Sequence, residues 1–257
     1  MYHERKTAAT RTHAIPAERF ILVGGSMTDK MKSNYDRMAD DAALLFLKYD
    51  QGKIISRWNL DADQEYLYLP FFSEENVLMI NRSSGRLSRI GETSLKAEGS
   101  AGDTGMPAPE LPDAGSDLNM EAMILYDLLT YSDELPEVAG EWVGIAQLGG
   151  IIGAGHEQTL RSPLADAFAG RKSLLDGICR EIGGVREGRG DVSCVFTVFR
   201  NFRILMQFWD EDDEFSASVR YMFDKNALRF MHYETLWYVM KVLERKIKGR
   251  MPEGSNQ

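Results

Sequence analysis

Two apolar runs in the last quarter of the chain constrain the fold more than any other feature. Residues 192–200 and 203–210 are dense in β-branched and aromatic side chains, and only a tight turn near Asn201 and Phe202 separates them. So short a connection can join antiparallel neighbours only, because a parallel pair needs a crossover of a dozen or more residues. An acidic turn from Asp210 to Glu214 leads into a third run, 216–223. Earlier segments repeat the theme at smaller scale. Strands are predicted at 53–60, 65–72, 77–81, 87–90 and 142–148, with Ser83, Ser84, Gly85 and Arg86 as a hairpin turn. The predicted class is α+β: an antiparallel sheet of about six to eight short strands, shared by both halves of the chain, with helices packed on one face.

The helices are read from a different period. Met31, Tyr35, Met38, Ala42, Leu45 and Phe46 form one stripe, with Thr28 or Asp29 as its cap and 49–52 as its end. Asp117 or Asn119 opens a second helix carrying Met120, Met123, Ile124, Leu128 and Leu129. Helices at 162–169, with Pro163 early, and at 173–182, stopped by Gly183 and Gly184, follow. The last runs over 234–248. Between the two halves, residues 91–117 are rich in Gly, Ala, Pro and acid and bury too little apolar area to offset their ordering entropy. They are expected to be a flexible insertion in a single domain of residues 29–248, preceded by a mobile lead over 1–28 and followed by a polar tail.

Composition narrows the function. The chain has 257 residues, 44% of them apolar, and a net charge of −9. That charge opposes nucleic-acid binding, which needs a basic face to displace counterions. The densest basic run, Arg245, Lys246, Lys248 and Arg250, ends a helix, where cations complement the dipole. Two cysteines, Cys179 and Cys194, can build neither a disulfide framework nor a four-cysteine metal site, and thirteen methionines suit a reducing compartment. Phe20 to Val23 is far too short for a leader core or a membrane span. The expected location is the cytoplasm, away from membranes.

Three places could carry chemistry. The first is the loop with Gly149, Gly150, Gly153 and Gly155, whose backbone could approach a ligand closely and cradle an anion. It has neither the G-x-G-x-x-G spacing nor a P-loop lysine, so a β-bulge or wide turn is the plainer reading. The second is His156, placed after those glycines as a potential general acid or base. The third is the acidic turn, where Asp210, Asp212, Asp213 and Glu214 offer oxygens to a hard cation but lack EF-hand spacing. His156, Cys179, Cys194 and His232 show no zinc-ligand spacing, and the cysteines read as buried apolar residues. The late aromatics, from Phe196 to Tyr238, read as core.

Several landmarks occur in a fixed order. Asn34-Tyr35 opens a helix before the strand meander. Tyr126-Asp127-Leu128-Leu129 lies in a helix, and Glu141-Trp142-Val143 leads to Leu148-Gly149-Gly150. Phe168, Gly183-Gly184, Gly190-Asp191, Trp209-Asp210, the Asp212 to Phe215 turn and Phe223-Asp224 follow, before the final helix. From Asn34 to Lys248 the chain resembles the DUF3786 family, whose activity is unassigned, so the resemblance implies a fold and no reaction. Some relatives look as if they carry an added iron–sulfur type cysteine cluster; this chain lacks those cysteines.

No nucleophile–base pair, metal set or cofactor fingerprint is found, so no cofactor is assigned. The expected function is that of a non-catalytic accessory module binding a small molecule or a protein partner. The alternative is an enzyme acting on a small anionic substrate, with the 149–157 loop as its site and His156 as acid/base. A pocket joining that loop to Asp213, Glu214 or Asp224 would favour the alternative.

Overall fold

The antiparallel hairpin that dominates the sequence organises the larger of two sheets. In the computed structural model, residues 34–90, 114–132, 134–149 and 162–252 are described. The first part contains α1 (Asn34–Phe46), α2 (Gln51–Trp58) and strands β1 (Asp61–Ala62), β2 (Tyr66–Pro70), β3 (Val77–Asn81) and β4 (Leu87–Arg89). The second contains α3 (Ala114–Thr130), β5 (Trp142–Gly144), α4 (Ile145–Leu148), α5 (Pro163–Phe168) and α6 (Lys172–Glu181). It continues with β6 (Val185–Arg186), β7 (Val192–Phe199), β8 (Phe202–Trp209), β9 (Ser218–Asp224), a 3₁₀ turn (Ala227–Arg229) and α7 (Tyr233–Lys248). The class is α+β, and every strand pairing is antiparallel. No described helix is long and apolar enough to cross a membrane.

The strands β7 and β8 pair from Val192 opposite Phe208 to Phe199 opposite Phe202, with a register shift between Thr197 and Phe199. Their turn falls on Arg200, at φ +51°, and Asn201. One face of this hairpin and β9 is fully buried: Cys194, Phe196, Val198, Ile204, Met206, Phe208 and Phe223. Each such apolar side chain contributes about 1.5–3 kcal/mol through burial, which makes this face the energetic centre of the fold.

Three expectations are corrected. Residues 53–60 are not a strand: α2 occupies that segment. Ile54 and Ile55 suggest a strand, but Asp50 accepts the Lys53 amide at 3.1 Å as an N-cap, and the buried pair Ile54 and Trp58 stands at helical spacing. Asn59, left-handed at φ 48°, closes the C-terminus onto Ile55 and Ser56 carbonyls. The segment 142–148 is a strand only as far as Gly144, because the Gln147 side chain accepts the Gly144 N–H at 2.8 Å and starts α4. The two halves do not share one sheet. The order is β1-β2-β3-β4 in the first and β5-β9-β8-β7-β6 in the second. When the chain returns as β5 it pairs with β9 at the edge of the second sheet, not with β4.

The sheets are tied nevertheless. The Phe72 N–H, from a residue at φ +61°, donates to the Val198 carbonyl at 2.9 Å, and Trp58 packs on Phe199 with ring centroids 5.3 Å apart. Gly85 faces α1 so closely that a Cβ there would lie 2.4 Å from the Ala43 carbonyl oxygen, and it needs φ +71°. Only glycine meets both demands. One contiguous core runs through both parts. The described residues all belong to a single compact unit, Ser33–Gln257. The 1–28 lead and residues 91–113 of the expected insertion lie outside the described residues, and 114–117 open α3.

Candidate functional site

Helices α3 and α7 pack against each other, and polar clusters join them at two levels. At the C-terminal end of α7, Val242, Arg245 and Lys246 stand at i, i+3 and i+4 and so share a face. With Arg89 from β4 and Glu121 from α3 they line a cavity of about 140 Å³. Glu121 is 3% exposed. Its Oε2 receives the Arg89 guanidinium at 2.5 Å, and the Lys246 ammonium stands 3.6 Å from Oε1. Lys246 also sits over the rings of Phe71 and Phe72, 5.9 and 5.5 Å from their centroids. Burial pushes the Lys246 pKa below its ordinary value; Glu121 opposes this, while Arg89 and Arg250 reinforce it. The Arg245 guanidinium reaches the Met120 sulfur. Among the described residues, Arg89 and Lys246 both engage the Glu121 carboxylate, and Arg245 lines the same cavity.

At the other end of α7, Asp127 from α3 serves as the helix cap. Its Oδ2 accepts the His232 amide at 2.8 Å and the Thr235 hydroxyl at 2.5 Å. Its Oδ1 lies 2.7 Å from His232 Nδ1, and the hydrogen bond raises the His232 pKa. Tyr131 meets the imidazole edge-on at 4.5 Å between centroids. His232 Nε2 is buried without a hydrogen-bond partner among the described residues. Asp–His pairing of this kind sets the tautomer and leaves Nε2 as the proton-exchanging atom.

Gly149 packs against this end of α7: a Cβ on it would lie 2.5 Å from Tyr233 Cζ, so close approach accounts for that glycine. Gly150, Gly153, Gly155 and His156 lie outside the described residues. In the acidic turn the carboxylates of two residues are used on backbone amides. Asp210 Oδ1 accepts from Gly170 at 2.7 Å, and Asp212 Oδ1 accepts from Glu214 and Phe215 at 2.9 and 2.8 Å. Asp213 and Glu214 are exposed in the same turn. Among the described residues no group of three or more His, Cys, Asp or Glu is arranged to hold a metal ion. Asp224 is mostly buried and staples a loop, accepting from Ala139, Gly140 and Asn226, each at 2.8 Å. Cys179 and Cys194 are buried free thiols; a hydrogen bond between them, with burial, pushes Cys179 well above the usual thiol range.

Sequence reading assigned the Arg245 to Arg250 run to the helix dipole and missed the cavity. Helical spacing puts Arg245 and Lys246 on one face, but nothing local shows that Arg89 and Glu121, distant in sequence, meet them there.

Two antiparallel sheets and a long α3–α7 helix pair, with basic residues around one cavity, define an α+β protein. A family model described as a domain of unknown function (DUF3786) matches residues 106–246, more than half of the chain. The chain belongs to that family. The match spans α3 to α7 and leaves out β4 with Arg89. Neither the curated proteins nor the solved structures contain a match.

Proposed function

We propose that this protein is a non-catalytic binding module for a small anion, seated between β4, α3 and the last turns of α7. The observation that carries this reading is the cavity itself, in which Arg89 and Lys246 share the buried carboxylate of Glu121 and Arg245 joins the lining. Cations crowded in a desolvated space repel one another, and an anion among them relieves that repulsion. Burial is the main cause of the depressed Lys246 pKa, and the Arg89 charge adds to it against the pull of Glu121.

The Asp127–His232 pair has the form of an acid–base centre, but α7 separates it from Lys246. At 1.5 Å per residue the distance is about 20 Å, far beyond the reach of direct proton transfer. A ligand in the cavity is therefore bound without being acted on by His232.

Inorganic phosphate at ten times its Kd is expected to raise the melting temperature by roughly 3–5 °C over chloride at equal ionic strength. Lys246→Met should remove the rise. A flat response in the wild-type protein up to tens of millimolar phosphate, about the weakest binding of interest, rejects the reading. Release of nitrophenol from p-nitrophenyl phosphate, lost in His232→Gln, would replace it with an enzyme.

A further inference from the structure

We propose that Cys179 and Cys194 are a buried dithiol that a hydroperoxide converts into an intramolecular disulfide, a modification site separate from the cavity between α3 and α7.

The pair is assembled by the packing of α6 on β7. The chain leaves α6 through Gly183 and Gly184 and turns back as β6 and β7. The Gly184 N–H donates to the Cys179 carbonyl at 2.7 Å. A Cβ on Gly184 would lie 2.7 Å from that carbonyl oxygen and 2.7 Å from Cε1 of Phe196. Glycine thus lets the end of α6 close onto the face of β7 that carries Phe196. Cys194, two residues earlier in the strand, stands on the same face. The two thiols meet there, fully buried and hydrogen-bonded to each other. A buried cysteine alone behaves as a small apolar side chain. Two in contact differ, because once one is oxidised the other is within reach to condense with it.

The surroundings distinguish the two sulfurs. Asp176, one turn before Cys179, receives the guanidinium groups of Arg180 and Arg186, each at 2.9 Å. Arg186 is also the register partner of Cys194 across β6 and β7. The hydrogen bond from Cys179 and the two arginine charges favour the Cys194 thiolate, against burial and Asp176. Cys194 is therefore the attacking sulfur. Burial sets the size of the oxidant. On the solvent side β6 is an edge strand of two residues, and the Arg186 side chain is largely exposed. Local opening of so short a ladder is far easier than unfolding of the sheet, and it admits a peroxide before a bulky disulfide.

The chemistry balances with hydrogen peroxide as the co-reactant. The Cys194 thiolate attacks one peroxide oxygen and the O–O bond breaks, leaving a sulfenic acid; the released hydroxide takes up the proton that Cys194 lost. The Cys179 sulfur then bonds to the Cys194 sulfur, and its proton leaves with the sulfenic hydroxyl as water. Two thiols and one peroxide give one disulfide and two waters, with sulfur oxidised and peroxide oxygen reduced.

The test treats the folded full chain with hydrogen peroxide or with oxidised glutathione, followed by denaturation and alkylation without reductant. Thiol counting and peptide mapping are the readouts, because the thirteen methionines also take up oxygen. Peroxide is expected to remove both alkylatable thiols and to link the Cys179 and Cys194 peptides, which dithiothreitol separates. It should act at least about tenfold faster than oxidised glutathione at equal concentration, because access limits exchange. Cys179→Ser is expected to stop at a sulfenic acid on Cys194, trapped by dimedone. Cys194→Ser should react at least about tenfold more slowly than Cys179→Ser. Two free thiols in the treated folded protein, or linkage only in denaturant, overturn the proposal. Oxidised glutathione as fast as peroxide overturns the choice of oxidant. Oxidation of Cys194→Ser as fast as that of Cys179→Ser overturns the order of attack. Should either variant fail to fold, the linked peptides of the wild type decide by themselves.

Discussion

His232 shows how one residue combines two duties. Its backbone N–H and its ring both address Asp127, so the residue starts α7 and titrates at the same point. The carboxylate raises the folded-state pKa above the ordinary 6.5, with burial opposing and Glu234 reinforcing. A raised pKa means that the folded state binds the proton more tightly than the unfolded one. The stabilisation is therefore complete below pH about 6.5 and disappears as pH rises through the folded-state value. Denaturant titrations of wild type and His232→Gln across pH 5–9 check this. The wild-type advantage should be largest at the acid end and shrink with rising pH; a constant difference would assign the pair to packing alone. The backbone bond to Asp127 survives in the variant, so the comparison isolates the ring.

Among elements, α2 is the most informative, because its sequence suggests a strand. Eight residues are too few for a helix to persist unaided. It stands on three local supports: the Asp50 cap, the left-handed Asn59 stop, and the burial of Ile54 and Trp58 against the core. Asp50→Ala should cost about 1 kcal/mol, the usual value of an N-cap, read as a lower denaturation midpoint with an unchanged slope. Removal of the cap without effect would mean that the Asn59 stop and the burial of Ile54 and Trp58 suffice to hold the helix. The two positions at which the strand assignment failed, 53–60 and 145–148, share a cause. In each, a side chain caps the backbone and outweighs weak β-propensity.

Across the whole molecule, the two sheets and the helix layer are joined by polar as well as apolar contacts. Glu244 on α7 is buried; its Oε1 accepts from Ser162 ahead of α5 at 2.7 Å and from Tyr221 on β9 at 3.1 Å, and its Oε2 receives Lys241 at 3.0 Å. Burial, with the Glu244 charge, keeps the Tyr221 phenol well above its ordinary pKa. Glu244→Ala would leave two buried hydroxyls without their acceptor and should destabilise the fold by roughly 2–4 kcal/mol, measured by chemical denaturation. A loss under 0.5 kcal/mol, the scale of an ordinary surface change, would mean that Ser162 and Tyr221 satisfy each other.

By itself the sequence determined whatever depends on neighbours along the chain. The β7–β8 hairpin, the β2–β3–β4 meander, the limits of α6 and α7, the α+β class and the apolar burial of both cysteines all follow from period, turn chemistry and caps. Only the tertiary structure decided how those pieces pair. It separated the strands into two sheets, placed β5 beside β9, and brought Arg89, Glu121 and Lys246 around one cavity. The reason is physical: hydrophobic periodicity says which face of an element is buried, but not which other element buries it. A charged site is assembled across that unspecified contact, from residues that are each unremarkable in their own segment.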